Sequence, residues 1–137
     1  MRLAFDLDDT LIPGQIPFPV EPMPRGWFKR RLCREPLRAG TVELFNDLWQ
    51  AGHEVWIYTT SFRSPRATRW MFRAYGTRVA RVINETIHRQ KLKKLGQAYK
   101  MCTKFPPLFE IHCLFDDSEG VLLEAREYGF EMVQVRP

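Results

Sequence analysis

The sequence predicts an α/β protein, in which one parallel sheet is covered by helices on both faces. Short apolar segments alternate along the chain with segments of helical period, and polar residues follow several of the apolar segments. Strands that alternate with helices of about 10 to 15 residues are typical of parallel sheets, because each parallel connection must cross the sheet. A chain of 137 residues has room for a single core, so we expect one domain, 1–137.

The alternation gives five strands and four helices in strict order. We expect strands at residues 3–5, 54–59, 78–83, 111–115 and 131–135, and helices at residues 41–51, 65–75, 87–101 and 119–128. Gly52, Gly76 and Gly129 follow three of the helices, at the position where glycine commonly ends a helix. Ser64 and Pro65 suit the N-cap and the first position of the second helix.

Apolar residues at helical spacing predict which helix faces are buried. The predicted core positions are Leu44, Phe45, Leu48 and Trp49 in the first helix, Ala67, Trp70, Met71 and Ala74 in the second, and Leu92, Leu95 and Tyr99 in the third. Arg66, Arg69 and Arg73 fall together outside the stripe of the second helix.

Segment 13–38 stands outside this alternation. Residues 13–24 contain five prolines in twelve residues, which excludes a helix or a central strand and predicts an extended surface loop. Residues 25–38 carry six basic side chains against Glu35 alone. We expect Trp27 and Phe28 to pack this basic segment onto the domain, the alternative being a small aromatic platform beside the functional site.

The charge of the chain is positive and unevenly distributed. The net charge is +5, arginine outnumbers lysine 15 to 6, and residues 63–81 hold six arginines and no acid. Arginine binds phosphate in a bidentate manner, so these patches suit phosphate-bearing partners, including nucleic acid. The equal alternative is that these arginines belong to the solvated faces of surface helices and bind no partner.

The remaining composition excludes several classes of protein. With 45% hydrophobic and 27% charged residues the chain is typical of globular proteins rather than disordered ones. No apolar run is long enough for a membrane span, and the first residues lack the apolar stretch of a signal peptide. Cys33, Cys102 and Cys113 match no metal spacing, so we expect a reduced, cytoplasmic protein.

The first strand runs into a cluster of carboxylates, Asp6, Asp8 and Asp9, within four residues. Unpaired carboxylates at the end of a buried strand are costly and repel one another. A hard divalent cation with oxygen ligands would compensate them. A turn after Asp6 would bring Asp6 and Asp8 to the carboxyl end of the strand, whereas Asp9 is expected to cap that turn.

Two further strands end in polar residues, Thr59 and Thr60 on the second and Asp116 and Asp117 on the fourth. Open α/β sheets bind ligands at the carboxyl ends of their strands, where the strand order reverses. A sheet in the order 3-2-1-4-5 would bring all three sets together. Asp6 and Asp116 could then share Mg²⁺ in a phosphoryl-transfer site, with a carboxylate nucleophile, a carboxylate acid/base and a cationic lysine.

These motifs resemble those of the haloacid dehalogenase (HAD) superfamily of aspartate-nucleophile phosphohydrolases. The segments FDLDDT, WIYTT and CLFDDS match its first, second and fourth motifs in order. The resemblance implies a Rossmann-like three-layer α/β/α domain and an aspartyl-phosphate intermediate. It assigns Asp6 as nucleophile and metal ligand, Asp8 as acid/base and metal ligand through its backbone carbonyl, and Thr59 as phosphoryl ligand. It assigns Asp116 and Asp117 to the metal.

The third motif of this superfamily is a single lysine, and four residues compete for it. Lys104 is favoured because a short stretch separates it from Asp116. Lys91, Lys93 and Lys94 are the alternatives. Superfamily members that act on small metabolites usually carry a cap domain, and this chain leaves no room for a large one. The basic segment 25–38 is a candidate for a short flap over the site, and a dimer contact or a partner site are the alternatives for segment 13–38.

The implied function is a Mg²⁺-dependent phosphatase acting on a phosphate monoester, such as a nucleotide, a nucleic-acid end or another phosphorylated molecule. Thr60, Arg63 and Arg66 follow Thr59 and are expected to contact that substrate. A phosphotransferase or nucleotidase of narrow range is a second hypothesis. A nucleic-acid- or protein-binding module of the same fold with little or no turnover is the third, and no membrane partner is expected.

Overall fold

The structure is a computed structural model that describes residues 1–95 and 102–137. Five strands run through it: β1 (Arg2–Phe5), β2 (Glu54–Tyr58), β3 (Arg81–Ile83), β4 (Cys113–Asp116) and β5 (Met132–Gln134). The helices are α1 (Trp27–Leu32), α2 (Thr41–Gln50), α3 (Pro65–Tyr75), α4 (Glu85–Leu92) and α5 (Glu119–Tyr128), with a 3₁₀ turn at Pro106–Phe109.

The strands form one five-stranded sheet in the predicted order, β3-β2-β1-β4-β5, and every pairing is parallel. β1 lies at the centre, with Phe5 opposite Ile57 of β2 on one side and opposite Phe115 of β4 on the other. The carboxyl ends of β1, β2 and β4 therefore meet at one edge of the sheet. The α/β fold with a single domain and no cap domain is confirmed.

Alternate residues of the strands feed two cores, one on each face of the sheet, because successive side chains of a strand point to opposite faces. On one face Phe5 and Ile57 pack with Phe45 of α2 and Phe72 of α3. On the other face Ala4, Tyr58 and Leu114 pack with Val121 and Ala125 of α5 and, at the margin, with Ile87 of α4. The result is a three-layer α/β/α arrangement.

Two predicted helix faces are partly wrong. In α3 the buried residues are Thr68, Met71, Phe72 and Ala74, whereas Ala67 is exposed and Trp70 is 51% exposed. Phe72 stacks on Phe45 and so sets the rotation of the helix. Trp70 then lies on the outer face with the arginines. In α2 Leu44 is exposed for the same reason, since Phe45 faces the sheet.

Two predicted boundaries also shift. The strand expected at residues 78–83 begins only at Arg81, because it pairs with just Trp56–Tyr58 of β2. The helix expected at residues 87–101 begins at Glu85, since the side chain of Asn84 accepts the backbone N–H of Ile87 and caps the first turn. This helix ends at Leu92, and residues 96–101 of the prediction, including Tyr99, lie outside the described residues.

Segment 13–38 is an extended chain that contains a short helix, α1, which the sequence did not predict. Leu37 is buried in the core, and Glu21 accepts the backbone N–H of Val42 at the start of α2. The expected packing of Trp27 and Phe28 is wrong: their exposed fractions are 72% and 62%. No residue of α1 is buried, so the segment is anchored by its ends and not by its aromatic rings.

Across residues 1–95 and 102–137, every helix is too short or too polar to traverse a lipid bilayer.

The ring of Phe45 contacts Phe5 of β1 at a tilt and stacks on Phe72, and so joins β1 to both helices of one face. Replacing Phe45 with Ala should lower the free energy of unfolding by about 3 to 5 kcal/mol, because a fully buried ring leaves a cavity. The matched control is Leu44→Ala on the exposed face of the same helix, expected to cost less than about 1 kcal/mol. Equal losses in urea unfolding of the two variants would contradict this assignment of faces.

Candidate active site

A buried lysine joins the carboxyl ends of β1 and β4. The Nζ of Lys104 donates to Oδ1 of Asp6 at 2.6 Å and to Oδ2 of Asp116 at 2.5 Å. All three side chains are almost fully buried, at 2% exposure for Lys104, 8% for Asp6 and 2% for Asp116. Buried charges of this kind persist only when they are paired and hydrogen-bonded. The pairing therefore fixes the three groups against one another.

A tight turn directly after β1 presents Asp6 at this edge. The backbone N–H of Asp6 still donates to Phe115 of β4, whereas the carbonyl of Leu7 accepts the N–H groups of Thr10, Leu11 and Ile12. The chain therefore leaves the sheet immediately after Asp6, as the sequence predicts. Asp9 adopts a positive φ of 61°, and its carboxylate accepts the N–H groups of Gly14 and Ile16, which confirms it as a turn-capping residue.

Thr10 links the first motif to the fourth, a role that the sequence analysis missed. Its hydroxyl accepts the backbone N–H of Asp117 at 3.1 Å and lies within hydrogen-bond distance of Asp117 Oδ1 and Asp6 Oδ2. Thr10 is 1% exposed, so this hydroxyl has no competing water. The sequence signal for this role is the threonine of the FDLDDT motif, because a hydroxyl in the turn that follows a buried strand requires hydrogen-bond partners.

Asp6, Asp116 and Asp117 together form a set of oxygen ligands. Each offers a carboxylate oxygen, and these atoms all lie within 4.8 Å of one another. Three carboxylates against one lysine leave a local excess of negative charge, and hard oxygen donors suit a hard divalent cation. The arrangement can therefore bind a metal ion, as the sequence predicted for these three residues.

The site perturbs the acidity of its carboxylates. Burial raises the pKa of Asp6 to about 6, an increase that the positive charge of Lys104 partly opposes. Burial also raises the pKa of Asp117, against the hydrogen bond from Thr10. In both cases desolvation of the charged form is the largest cause, which a bound cation would offset.

Lys104 reaches the site because a buried hydrogen-bond network holds the chain around it. The backbone N–H of Phe105 donates to the hydroxyl of Tyr58, and this hydroxyl lies 2.6 Å from Nδ1 of His88. Nε2 of His88 lies 2.9 Å from the carbonyl oxygen of Cys102. The consistent assignment is a neutral imidazole that accepts at Nδ1 and donates from Nε2. β2 and α4 thus hold the loop on both sides of Lys104.

Among the four candidate lysines, only Lys104 contacts the acidic cluster. Lys93 and Lys94 are exposed beyond the end of α4, and Lys91 is half-buried on its last turn. None of the three donates to Asp6, Asp116 or Asp117 within the residues that the structure describes. The assignment of Lys104 to the third motif remains a prediction to which this geometry adds support.

Asp8 lies apart from the cluster, paired with Arg63. The guanidinium of Arg63 donates to both carboxylate oxygens of Asp8 at 2.8 and 2.9 Å, and to both oxygens of Glu35 at 2.8 Å. Hydrogen bonds from Arg63 are the main cause of a lowered pKa of Asp8, and the same bonds raise the pKa of Arg63. Glu35 belongs to segment 13–38, so Arg63 ties that segment to the site.

The remaining predicted residues lie near the same edge or beyond it. Thr59 is buried at the end of β2, where its hydroxyl contacts Ser61. Thr60 is exposed in a depression of about 400 Å³ that also contains Thr103. Arg66 lies on the outer face of α3 in a different cavity, with Trp70 and Arg73. The structure therefore does not place Arg66 at the acidic cluster, and substrate contacts of these residues stay predictions.

Burial lowers the pKa of His88, partly opposed by the carbonyl of Cys102, Glu85 and Glu124. Because the pKa of His88 is lower in the folded protein than in the unfolded one, neutral His88 contributes its full stabilisation of the fold above about pH 6.5. This stabilisation is lost as the pH falls toward the folded-state pKa. His88→Ala should cost about 2 to 3 kcal/mol at pH 8, for two lost buried hydrogen bonds.

That cost should shrink as the pH is lowered from 7 to 5, measured by urea unfolding of both proteins at each pH. Thr77→Ala is the control, because it removes a buried hydroxyl that donates to Asn46 but no titratable group, so its cost should not change over this range. A cost of His88→Ala that is independent of pH would contradict a neutral, buried His88.

Comparison with known proteins supports the fold. No protein-family model matches the chain, and no curated protein matches it significantly in sequence. One similar solved structure is described as the structure of a Pnkp1/Rnl/Hen1 complex, with a TM-score of 0.58 and 16% identity. The similarity covers 98% of this chain but 45% of the other, so this chain spans less than half the length of that neighbour. At this identity the similarity establishes the shared fold alone.

Proposed function

We propose that the protein is a Mg²⁺-dependent phosphatase of the HAD type, which hydrolyses a phosphate monoester through an aspartyl-phosphate on Asp6. The observation that supports this most strongly is the buried contact of Lys104 with both Asp6 and Asp116. A carboxylate held beside a cation and a second carboxylate, at the carboxyl edge of a parallel sheet, has the components that phosphoryl transfer needs.

In the first step a carboxylate oxygen of Asp6 attacks the phosphorus atom of the monoester. The new O–P bond forms as the bond from phosphorus to the ester oxygen breaks, and the leaving alcohol takes a proton from Asp8. Lys104 is placed to balance charge on the phosphoryl oxygens, because its ammonium group touches the nucleophile. Thr59 offers a hydroxyl from the adjacent strand.

In the second step water attacks the phosphorus of the aspartyl-phosphate. Asp8 takes a proton from that water, the bond from phosphorus to Asp6 breaks, and inorganic phosphate leaves. Asp6 returns as a carboxylate and Asp8 as a carboxylic acid, the forms in which they begin the first step once the contact of Asp8 with Arg63 has opened. The same acid/base residue thus serves both steps.

The residues present fit a divalent cation. Asp6, Asp116 and Asp117 would hold it, with Thr10 keeping Asp6 and Asp117 in position through its hydroxyl. Mg²⁺ prefers one or two carboxylates together with phosphate oxygens and water. When bound, the ion supplies positive charge that offsets the repulsion between Asp6 and an anionic phosphoryl group.

Arg63 is proposed to control Asp8. Its guanidinium occupies both oxygens of that carboxylate, so proton transfer by Asp8 requires this bidentate contact to open. A substrate phosphate could compete for Arg63, since bidentate guanidinium–phosphate pairs resemble guanidinium–carboxylate pairs. Arg63 would then contact the substrate, as the sequence predicts, by exchanging the carboxylate of Asp8 for a substrate phosphate.

The proposed chemistry predicts that Asp6→Asn abolishes Mg²⁺-dependent phosphate release. An amide cannot act as the nucleophile, so kcat should fall at least about 1,000-fold, toward the uncatalysed rate. Phosphate release would be measured with and without Mg²⁺ on an aryl phosphate, nucleoside monophosphates, sugar phosphates, a phosphopeptide, and oligonucleotides phosphorylated at the 3′ or 5′ end.

The matched control is Asp9→Asn, three residues away. Asn keeps the Oδ1 acceptor that Asp9 offers to Gly14 and Ile16, and it tolerates a positive φ, so turnover should stay close to wild type. If no substrate is turned over by the wild type, the binding-module hypothesis replaces the phosphatase. Turnover that survives in Asp6→Asn would exclude the proposed nucleophile.

Magnesium should also stabilise the folded protein, because the three carboxylates are brought together only by folding. At a Mg²⁺ concentration ten times Kd, the free energy of unfolding should rise by about 1.4 kcal/mol. Asp116→Asn should remove this increase, whereas Asp47→Asn, at an exposed position of α2, should keep it. Thermal melting with and without Mg²⁺ measures both, and an unchanged increase in Asp116→Asn would refute the proposed ligand set.

A further inference from the structure

Helices α1 and α3 lie side by side and form one basic outer surface. The described residues of this surface carry Lys29, Arg30 and Arg31 on α1 and Arg66, Arg69 and Arg73 on α3. Segments 25–34 and 64–76 contain no acidic residue. Exposed helices usually intersperse charges of both signs, so this surface has a strong positive potential.

The arginines of α3 have no hydrogen-bond or ion-pair partner among the described residues, in contrast to several arginines elsewhere on the protein. Arg2 pairs with Glu54 and stacks on Trp56, and Arg89 pairs with Glu85. In contrast, no hydrogen bond or ion pair within residues 1–95 and 102–137 engages the guanidinium groups of Arg66, Arg69 and Arg73. Their full donor capacity is available to an external acceptor.

Exposed aromatic rings accompany these charges. Trp70 is 51% exposed and lies among the arginines of α3, one helical turn from both Arg66 and Arg73. Trp27 and Phe28 of α1 are more exposed still and contact each other edge to face. Large exposed rings beside cations are the combination that binds unpaired bases, because every base offers a face for stacking.

Three cavities that share lining residues extend from Arg63 along this surface, and together they form the groove discussed below. One cavity of about 430 Å³ contains Arg63, the partner of Asp8, and its second partner Glu35, together with Arg34, Ser64 and Ala67. A second, of about 270 Å³, shares Arg34, Ser64 and Ala67 and extends to Arg66 and Trp70. A third, of about 780 Å³, continues past Arg69 to Arg73.

We propose that this groove binds a single strand of nucleic acid, with phosphates on Arg66, Arg69 and Arg73 and a base stacked on Trp70. The inference deepens the proposed function, on which it rests for the substrate class: the strand would lead to Arg63 and present its phosphorylated end to Asp6. The lack of acidic residues along α1 and α3 favours a polyanion, since Glu35, the acid that lines the cavity beside Arg63, is already paired with that arginine. The exposed rings favour unpaired bases over lipid headgroups or an acidic peptide.

The first test measures binding and not turnover, so that it does not depend on the phosphatase. Fluorescence anisotropy would follow a 12-nucleotide oligo-dT and an oligo-U, both without end phosphates, binding to the wild-type chain at several salt concentrations. R66Q/R69Q/R73Q should weaken binding at least about tenfold and reduce the slope of log K against log salt by about 2. Trp70→Ala should weaken it about 5- to 150-fold.

Arg126→Gln is the matched control, because Arg126 is an exposed arginine on α5, on the opposite face of the sheet. Its affinity and salt slope should equal those of the wild type. Equal losses in Arg126→Gln and the α3 variants would mean nonspecific attraction and would overturn the inference. An unchanged salt slope in R66Q/R69Q/R73Q would also overturn the inference.

Two competitors decide the chemical class of the ligand. Phosphatidylserine vesicles and poly-glutamate should compete poorly with the oligonucleotides. If either binds more tightly than the oligonucleotides and Trp70→Ala abolishes that binding, the ligand is a membrane or an acidic protein. Aryl phosphate turnover without oligonucleotide binding would refute this inference and leave the proposed function. Binding of oligonucleotides with no turnover of any substrate would support the groove and refute the phosphatase.

Discussion

The contact of Lys104 with Asp6 and Asp116 is the constraint on which the rest of the site depends. Two buried carboxylates at adjacent strand ends would repel each other, and a buried lysine alone would carry an uncompensated charge. Together the lysine and the two carboxylates compensate one another's charge, so the three segments that carry them must meet. β1 and β4 meet through their parallel register, whereas the loop of Lys104 is held by Tyr58 and His88. Residues of the sheet and of α4 thereby fix the position of a group on a loop.

A second ionic arrangement, centred on Arg63, joins the site to segment 13–38. Arg63 contacts Asp8 on one side and Glu35 on the other, so the two carboxylates are held through one guanidinium. Any ligand that competes for Arg63 would therefore act on Asp8 and on the anchoring of α1 at once. The groove beside α3 begins at the same arginine. The groove and Asp8, the proposed acid/base residue, are thus connected physically through Arg63.

Three features of the molecule differ from what the sequence predicts, each for a physical reason. Apolar periodicity predicts α3 but not its exact buried face, because Trp70 and Phe72 are both apolar. The structure buries Phe72, which stacks on Phe45, and leaves Trp70 51% exposed. Helix α1 was missed because its stability does not come from a buried face, and none of its residues is buried. The role of Thr10 was missed because a hydroxyl gains its meaning from partners about 100 residues away in the chain.

The sequence by itself determined the order of the strands and of the four helices that cover the sheet, the parallel sheet, and the residues Asp6, Asp116 and Asp117 at its edge. These follow from local periodicity, from turn-forming residues and from the cost of burying unpaired carboxylates. Only the tertiary structure decided that Lys104 reaches the carboxylates, that Arg63 occupies Asp8, and that the unpaired arginines of α3 share a groove with Trp70. Such contacts depend on the distance between residues far apart in the chain, which local sequence patterns do not encode.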